Sequence, residues 1–518
     1  MRNFSKSELL AYDQCQKRLW LQVNKPQLVS DAATPQSTYV ADNRLKAIAR
    51  EIFDTNGRGK TFDVKAKVFK KVLAQTQRAI KKTGRNLSRR RSLFEAGFEA
   101  EGAHVLVDAL LPVRGPDDIP PRWEIVEVKA ASSVKDAYLE DAAIQYFVAT
   151  NAGLALNNIA IAHIDSDWVY DVNGCYDGLL IQVDVTQEIQ DLVLFLPLWI
   201  KRAQAVLDMP VAPVISTGER CNTPYPCGFL AFCQSAEPAI SHPVKWLPRV
   251  QTTALRAHLA KPKVKSMQDV PDELLNAQQL RVKQATLNGC TWRDAKGAAK
   301  SLAAYPVPCY FLDFETIGDV VPRWIGTRAF QPIPFQFSLH RIGPRGGLTH
   351  TAFLDTTGKD PRLAFAQALV QACGTSGAVF AYNSRFEAGC IEDLIEYFAS
   401  RRKLAKALLN IYTRLVDLEP IVRQHYYHPS QQGSWSLKAV LPALIPHLSY
   451  EALDGVKSGM DAQVAYAEAA KPVTSKQRAN LLQRQLLAYC KLDTLALVEI
   501  WREFRKPKAR RIFPKTII

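Results

Sequence analysis

Two successive patterns of apolar and polar residues run along the chain. In the first half, apolar residues recur at helical spacing through residues 9–20 and alternate with polar ones through residues 104–113. A second alternating run (123–129) is followed by a helical pattern (136–151) and a further strand pattern (157–165). Periods of 3.6 and 2.0 are typical of half-buried helices and strands. The first half is therefore predicted to run helix, strand, strand, helix, strand.

The second half has its own mixed pattern. A short apolar run at residues 310–312 predicts a buried strand, and residues 335–340 and 350–353 predict two more. A helix is predicted at residues 361–373, a strand at 378–382, and a long helix near the C-terminus. Both halves are thus expected to be α/β.

These patterns define an expected domain organisation. A chain of 518 residues is long enough for about three domains. Prolines followed by helical stretches separate the two halves and predict a linker. We expect an N-terminal domain (1–240), a helical linker (241–304), a C-terminal domain (305–506) and a basic tail (507–518).

The formal net charge of +16 narrows the class of partner. Phosphate backbones attract such an excess, so nucleic acid is the expected partner, although a merely basic protein is the alternative. Residues 40–83 look helical and basic, and a denser basic run follows at residues 85–91. No apolar run has membrane-spanning length and no signal peptide is visible, so we expect a cytoplasmic protein without membrane contact.

Charged residues share one face of the predicted strands in the first half. Glu127 and Lys129 are two positions apart and point the same way, and a neighbouring strand could bring Asp108 beside them. Two carboxylates can hold a metal ion, and a lysine can stabilise or help activate an attacking water. The helix that follows carries Gln145.

This order of elements and residues resembles the PD-(D/E)XK nuclease core of the RecB-like type, a restriction-endonuclease-like fold. The resemblance implies that Asp108 and Glu127 bind a metal ion, that Lys129 serves the water and that Gln145 helps to orient the site. Two features depart from the family pattern. No histidine occurs in the first 103 residues, and the family's tyrosine four positions after the glutamine is Ala149 here.

Four of the ten cysteines form a second group: Cys15, and Cys221, Cys227 and Cys233 within thirteen residues of one another. In a reducing compartment such a group is typical of metal ligands, and four thiolates can hold zinc or an iron–sulfur cluster. One cysteine before the nuclease core and three after it resembles the iron–sulfur nucleases. The resemblance implies a 4Fe–4S cluster that ties the first helix of the domain to its last segment.

Acidic residues also organise the second half. Asp313 and Glu315 are two positions apart on a predicted strand, so they leave it on the same face. Two neighbouring carboxylates on one strand face repel one another unless a cation lies between them, and in proteins this cation is usually divalent. Tyr489 and Asp493, four apart on the C-terminal helix, share one side of that helix.

The three motifs Asp-x-Glu-Thr, Asn-x-x-Phe-acid and Tyr-x-x-x-Asp resemble the DEDD exonuclease family, which is DnaQ-like with an RNase H-like fold. The resemblance covers residues 305–505 and places the chain in the tyrosine subgroup, with Tyr489 orienting the attacking water. Glu387 stands where the family usually has aspartate, and Asp417 is the reserve ligand. The implied ligands of two Mg²⁺ or Mn²⁺ ions are Asp313, Glu315, Glu387 and Asp493.

The whole architecture resembles an uncharacterised bacterial family that fuses the two modules. We expect a metal-dependent nuclease with a C-terminal 3′–5′ exonuclease and an N-terminal iron–sulfur module that cleaves or binds DNA, in DNA repair, DNA processing or anti-phage defence. DNA is expected in preference to RNA. The alternatives are a single-activity exonuclease with a non-cleaving N-terminal clamp, and a non-enzymatic nucleic-acid-binding assembly protein.

Overall fold

The computed structural model describes residues 2–30, 36–63, 69–83, 90–113 and 122–506. The predicted basic tail (507–518) and residues 85–89 of the predicted basic run lie outside the described residues. No helix in the described part of the chain combines the length and apolar character of a membrane span.

The chain divides into two compact units. The first consists of Met1–Pro238 and Asp319–Phe330, and the second of Ala239–Gly318 and Gln331–Ile518. Residues 241–304, which we predicted as a linker, therefore belong to the second unit. Both units mix helices with sheets, so the chain is α/β.

The strands that pair into sheets are, in chain order, β1 (Phe4–Ser5), β2 (Lys60–Thr61), β3 (Leu93–Ala100), β4 (Ala103–Val113), β5 (Arg122–Lys129), β6 (Leu156–Ile164), β7 (Val169–Tyr170), β8 (Leu180–Asp184), β9 (Trp292–Arg293), β10 (Cys309–Ile317), β11 (Thr327–Arg328), β12 (Ile333–Ile342), β13 (Leu348–Leu354), β14 (Val379–Ala381), β15 (Leu415–Asp417) and β16 (Tyr426–Tyr427).

The α-helices are, in chain order, α1 (Lys6–Gln14), α2 (Gln16–Asn24), α3 (Gln36–Phe53), α4 (Phe69–Thr83), α5 (Asp136–Asn151), α6 (Gln190–Leu207), α7 (Leu230–Ser235), α8 (Thr253–Leu259), α9 (Ala277–Leu287), α10 (Ala295–Ala303), α11 (Arg362–Cys373), α12 (Arg385–Tyr397), α13 (Arg402–Tyr412), α14 (Glu419–His425), α15 (Leu437–Leu444), α16 (Gly459–Ala469) and α17 (Lys476–Phe504).

The predicted pattern of the first half is confirmed in β4, β5, α5 and β6, with two departures. The helix predicted at residues 9–20 is broken at Cys15, which is extended between α1 and α2. The basic region predicted as helical is α3 and α4 with β2 between them, and β2 pairs in parallel with β3. Helical spacing of apolar residues does not reveal such a break, because two short helices can bury the same face.

The first unit is built on a mixed sheet in the order β2-β3-β4-β5-β6-β8, with β1 added beside β4. β5 and β6 are parallel and are joined through α5, as a parallel pair requires a crossover. Pairing of β4 with β5 ends at Ala109 and Val126. Beyond that point the backbone N–H of Val128 donates instead to the Asp108 carboxylate, at 2.9 Å. Asp108 therefore lies where the two strands separate.

The second unit is built on a sheet in the order β13-β12-β10-β14-β15. The first three strands are antiparallel, and β14 and β15 run parallel to β10. Phe365 on α11 packs edge to face against Phe314 and Phe337 of the sheet, in the core of this unit. The 29-residue helix α17 is fastened to β12 by a 2.8 Å hydrogen bond from Gln336 to the carbonyl of Leu486.

The helices before β10 pack within the second unit. β9 pairs with β16, and Thr286 on α9 hydrogen-bonds Tyr427 at 3.0 Å. His425 on α14 contacts Asp294, the N-cap of α10, at 3.0 Å. These contacts explain why residues 241–304 do not form a separate segment.

Candidate metal centres

An open cleft of about 1000 Å³ in the second unit collects the acidic residues predicted there. Asp313 and Glu315 alternate along β10, Glu387 lies in the first turn of α12, and Tyr489 and Asp493 lie one turn apart on α17. All five side chains line the cleft. Four carboxyl groups that are distant in sequence thus face one another across a space open to solvent.

Burial and mutual repulsion alter the titration of these carboxyls. Burial and the charges of Asp493 and Glu315 hold the pKa of Asp313 well above its usual value. Burial raises the pKa of Glu315 and of Glu387 to about 8 and that of Asp493 to about 6. A group of carboxyls that resists ionisation for these reasons gains most from a cation placed between them.

One oxygen among the acids of this cleft is unsatisfied. In the described part of the chain, Oε2 of Glu387 is buried and has no hydrogen-bond partner. The contact from Cys490 Sγ to Asp313 Oδ2 is long, at 3.5 Å, and thiols are weak donors. Ligand atoms of Asp313, Glu315 and Cys490 lie within 4.8 Å of one another. Carboxylate oxygens are the donors that Mg²⁺ and Mn²⁺ prefer in proteins.

Asp417, the reserve ligand, holds the backbone at the end of β15 by accepting hydrogen bonds. Its Oδ1 accepts hydrogen bonds from the backbone N–H groups of Asn383 and Glu419, each at 3.0 Å. It does not line the cleft, whereas Glu387 does. Glu387 lies in the first turn of α12, and its side chain is buried.

Two residues that contact the predicted site were not predicted as part of it. Lys438 lines the cleft, and Tyr450 is buried and donates its hydroxyl to Oδ1 of Asp493. The ammonium of Lys438 lies 5.5 Å from the ring centres of both Tyr450 and Tyr489 and counteracts the rise in pKa of Glu315 and Asp493. Burial and the nearby acids raise the pKa of Tyr489, so its phenol remains a hydrogen-bond donor. Tyr450 lies in no motif, and no sequence pattern assigns a role to Lys438.

The first unit also brings its predicted residues together. Lys129 Nζ contacts Glu127 Oε1 at 2.8 Å, and Gln145 Nε2 donates to Glu127 Oε2 at 2.9 Å. Asp108 lies close enough for its charge to be affected by that of Glu127. Asp141, one turn before Gln145 on α5, joins them although the sequence analysis did not name it.

Lysines neutralise every acid of this N-terminal cluster. Lys46 pairs with Asp108 at 2.7 Å, and Lys6 pairs with both Glu127 (3.0 Å) and Asp141 (2.7 Å). Burial alone would raise the pKa of Glu127, but Lys129 and Lys6 outweigh it and hold that pKa well below its usual value. Burial and the Glu127 charge raise the pKa of Asp108 to about 6, against the opposing effect of Lys46.

The two sets of acids therefore differ in their fit to a cation. Both oxygens of Asp108, Glu127 and Asp141 accept from protein donors within the described residues. A metal ion at Asp108 and Glu127 would have to displace these donors. The predicted ligands of the first unit are thus assembled, but they do not fit a cation in this arrangement.

An open recess of about 890 Å³ adjoins this cluster. Asp108, Lys6 and Lys46 line it together with His104, whose ring lies 4.6 Å from that of Phe69. His104 lies on β4 itself, one residue beyond the segment that contains no histidine. The ammonium groups of Lys6 and Lys46 at this recess are paired with Glu127, Asp141 and Asp108.

All four predicted cysteine ligands line one recess in the first unit. The break between α1 and α2 presents Cys15, a short turn carries Cys221, and α7 carries Cys233. Lys17, Arg18 and Arg220 line the same recess and would balance negative thiolates. Burial raises the pKa of Cys227 and of Cys233, so a bound cation would favour the loss of their protons.

The four sulfur atoms are spread apart in the recess. Tetrahedral zinc, with bonds of about 2.3 Å, brings its sulfurs to about 3.8 Å from one another. In the described part of the chain, no three of the four sulfurs lie within 4.8 Å of one another.

Comparison with known families assigns no activity. Residues 310–436 match a family described as a domain of unknown function, DUF2779. The matched segment includes Asp313, Glu315 and Glu387 and stops before Tyr489 and Asp493. No curated protein matches the chain.

Proposed function

We propose that the protein is a metal-dependent nuclease whose C-terminal unit hydrolyses phosphodiester bonds from 3′ ends. The observation that carries this proposal is the convergence of four carboxyl groups and Tyr489 on an open cleft, with a buried, unpartnered oxygen on Glu387. The sheet order of this unit, three antiparallel strands and two parallel to the first, supports an RNase H-like, DnaQ-type fold. Nuclease chemistry also agrees with the net charge of +16.

In this proposal the residues of the cleft have two roles, binding metal ions and orienting the attacking water. Asp313, Glu315, Glu387 and Asp493 supply the oxygen ligands of two Mg²⁺ or Mn²⁺ ions. When bound, such a pair supplies positive charge to the scissile phosphate and an activated water. Tyr489 remains protonated because its pKa is raised, so it can orient the attacking water by hydrogen bonding.

We assign to the N-terminal unit a restriction-endonuclease-like PD-(D/E)XK core with an iron–sulfur cluster on Cys15, Cys221, Cys227 and Cys233. The lysine-neutralised acids favour a unit that binds DNA without cleaving it. The cluster would fasten α1 to the segment that ends in α7. Such a protein would serve in DNA repair, DNA processing or anti-phage defence.

A second candidate is a protein with two nuclease sites. The arrangement of Asp108, Glu127, Lys129 and Gln145 in one cluster favours it, because these are the residues that the RecB-like resemblance requires. The two candidates predict different effects of the Lys129→Ala change on cleavage: only an active N-terminal site would lose cleavage in this variant.

Cleavage of end-labelled DNA and RNA in Mn²⁺ tests the proposal. We expect stepwise shortening from 3′ ends, a loss of about 10³-fold or more in Asp313→Asn, and little change in Lys129→Ala. Residual cleavage in Asp313→Asn that is lost when Lys129→Ala is added would favour two nuclease sites. Intact substrates after incubation with the wild-type protein would favour the non-enzymatic binding protein.

Metal analysis of protein purified without oxygen tests the cluster. We expect a brown protein that contains iron and acid-labile sulfide, both lost in Cys227→Ser and retained in Cys175→Ser, a matched change in the same unit. Zinc in a colourless preparation would contradict the iron assignment.

A further inference from the structure

We propose that Lys6 is an internal cation of the N-terminal cluster and keeps divalent metal ions away from Glu127 and Asp141. This inference does not depend on the nuclease activity proposed above, since it concerns metal binding in the other unit. It also explains why residues that resemble a metal-dependent nuclease site are assembled without room for a metal ion.

The position of Lys6 is set by the start of α1. Ser5 caps this helix: its side chain accepts from the N–H of Glu8, and the Glu8 side chain accepts from the N–H of Ser5. Lys6 follows in the first turn, and Nζ bridges Glu127 Oε1 (3.0 Å) and Asp141 Oδ1 (2.7 Å). One ammonium therefore joins β5 to α5, as a bound cation would.

The charges of the cluster balance without a metal ion. Three carboxylates, Asp108, Glu127 and Asp141, face three ammonium groups, Lys6, Lys46 and Lys129. A divalent cation added to this set would bring two positive charges that have no unpaired negative partner. It would also lie beside ammonium groups, and like charges repel one another.

Gln145 contributes to the same exclusion. Its Nε2 donates to Glu127 Oε2 and Asp141 Oδ1, while its Oε1 is buried without a partner. The amide thus faces the acids with its donor side. If Lys6 is removed, the two carboxylates lose one charge partner, and rotation of the amide would direct an oxygen toward a cation between them.

The test measures Mn²⁺ binding to the full-length chain with the C-terminal site disabled by Asp313→Asn and Asp493→Asn. Electron paramagnetic resonance of free Mn²⁺ reports the bound fraction. We expect Lys6→Met in this background to bind one more Mn²⁺ per chain, at least about tenfold more tightly than the parent. The gain should disappear when Glu127→Gln is added.

Two controls separate this role from a general effect of charge. Lys6→Arg keeps the positive charge and should not gain Mn²⁺, and Lys201→Met removes an exposed lysine of α6 and should not gain it either. If Lys6→Met unfolds in metal-free buffer, Mn²⁺ must restore its circular dichroism spectrum. The proposal is overturned if Lys6→Met gains no Mn²⁺, or if the parent already binds Mn²⁺ in a way that Glu127→Gln abolishes.

Discussion

Two buried groups of carboxylates in this chain solve the same electrostatic problem in different ways. In the second unit, Asp313, Glu315, Glu387 and Asp493 face one another, and the pKa values of these carboxyls are raised. In the first unit, Lys6 and its neighbouring lysines hold the pKa of Glu127 well below its usual value. In our proposal, cations from solution complete the group in the second unit, whereas the protein's own lysines complete the group in the first unit.

The difference teaches that a set of acids in a nuclease-like order is not sufficient to predict a metal site. What matters is whether the oxygens already have donors. Oε2 of Glu387 is buried without one, whereas both oxygens of Glu127 are engaged by Lys6, Lys129 and Gln145. Isosteric changes of acid to amide should therefore have opposite effects in the two units.

The largest expected effect is in the first unit. Glu127→Gln should lower the free energy of unfolding by about 3–5 kcal/mol, because it leaves Lys6 and Lys129 in a buried site with one fewer negative partner. Glu315→Gln, the matched change in the second unit, should raise it by up to about 1 kcal/mol above pH 8, where repulsion is relieved. Urea unfolding in metal-free buffer measures both. Equal destabilisation by the two changes would contradict the claim that the acids are neutralised in the first unit and repel one another in the second.

A smaller effect is expected from Tyr450 at the C-terminal cleft. Tyr450→Phe removes a hydrogen bond to Asp493 that lowers the pKa of that carboxyl, so the pKa should rise above about 6. Cleavage at neutral pH should fall by about tenfold and recover as the pH is raised. Tyr412→Phe, which breaks a tyrosine–carboxylate hydrogen bond to Glu392 elsewhere in the unit, is the matched control. A loss that does not depend on pH would contradict this role for Tyr450.

The pH dependence of stability without metal should also differ between the two units. Glu315 and Glu387 bind protons more tightly in the folded state, with pKa values near 8 against 4.5. Their contribution therefore falls as the pH rises from about 4.5 to about 8. Glu127 has a depressed pKa, so its contribution is present above 4.5 and is lost as the pH falls.

The difference in unfolding free energy between the wild type and each glutamine variant, measured across the pH range, isolates the contribution of the replaced carboxyl group. Mn²⁺ should raise the melting temperature more at pH 8 than at pH 6, since fewer protons then compete for the C-terminal carboxylates. A stabilisation by Mn²⁺ that is independent of pH would contradict the assigned titration.

Local spacing made part of both sites predictable. Asp313 and Glu315 share a strand face, and Tyr489 and Asp493 share a helix face, because fixed periods place them there. Convergence of these pairs with Glu387 was implied by the resemblance to the DEDD exonucleases. Glu127 and Lys129 likewise share one face of β5 because they are two positions apart on a strand.

The remaining residues depend on tertiary packing. Lys6 and Tyr450 reach their acids from segments with no periodic relation to them, so no local pattern identifies them. Asp141 was accessible in principle, because it lies four residues before Gln145 on one helix face. The break at Cys15 was missed because apolar residues continue at helical spacing on both sides of it.

Diffraction from crystals soaked in MnCl₂, collected with anomalous signal from manganese, tests the central claim most directly. The account predicts two manganese peaks in the cleft lined by Asp313, Glu315, Glu387 and Asp493, and none at Asp108 and Glu127. Peaks at Asp108 and Glu127 with an empty C-terminal cleft would contradict it.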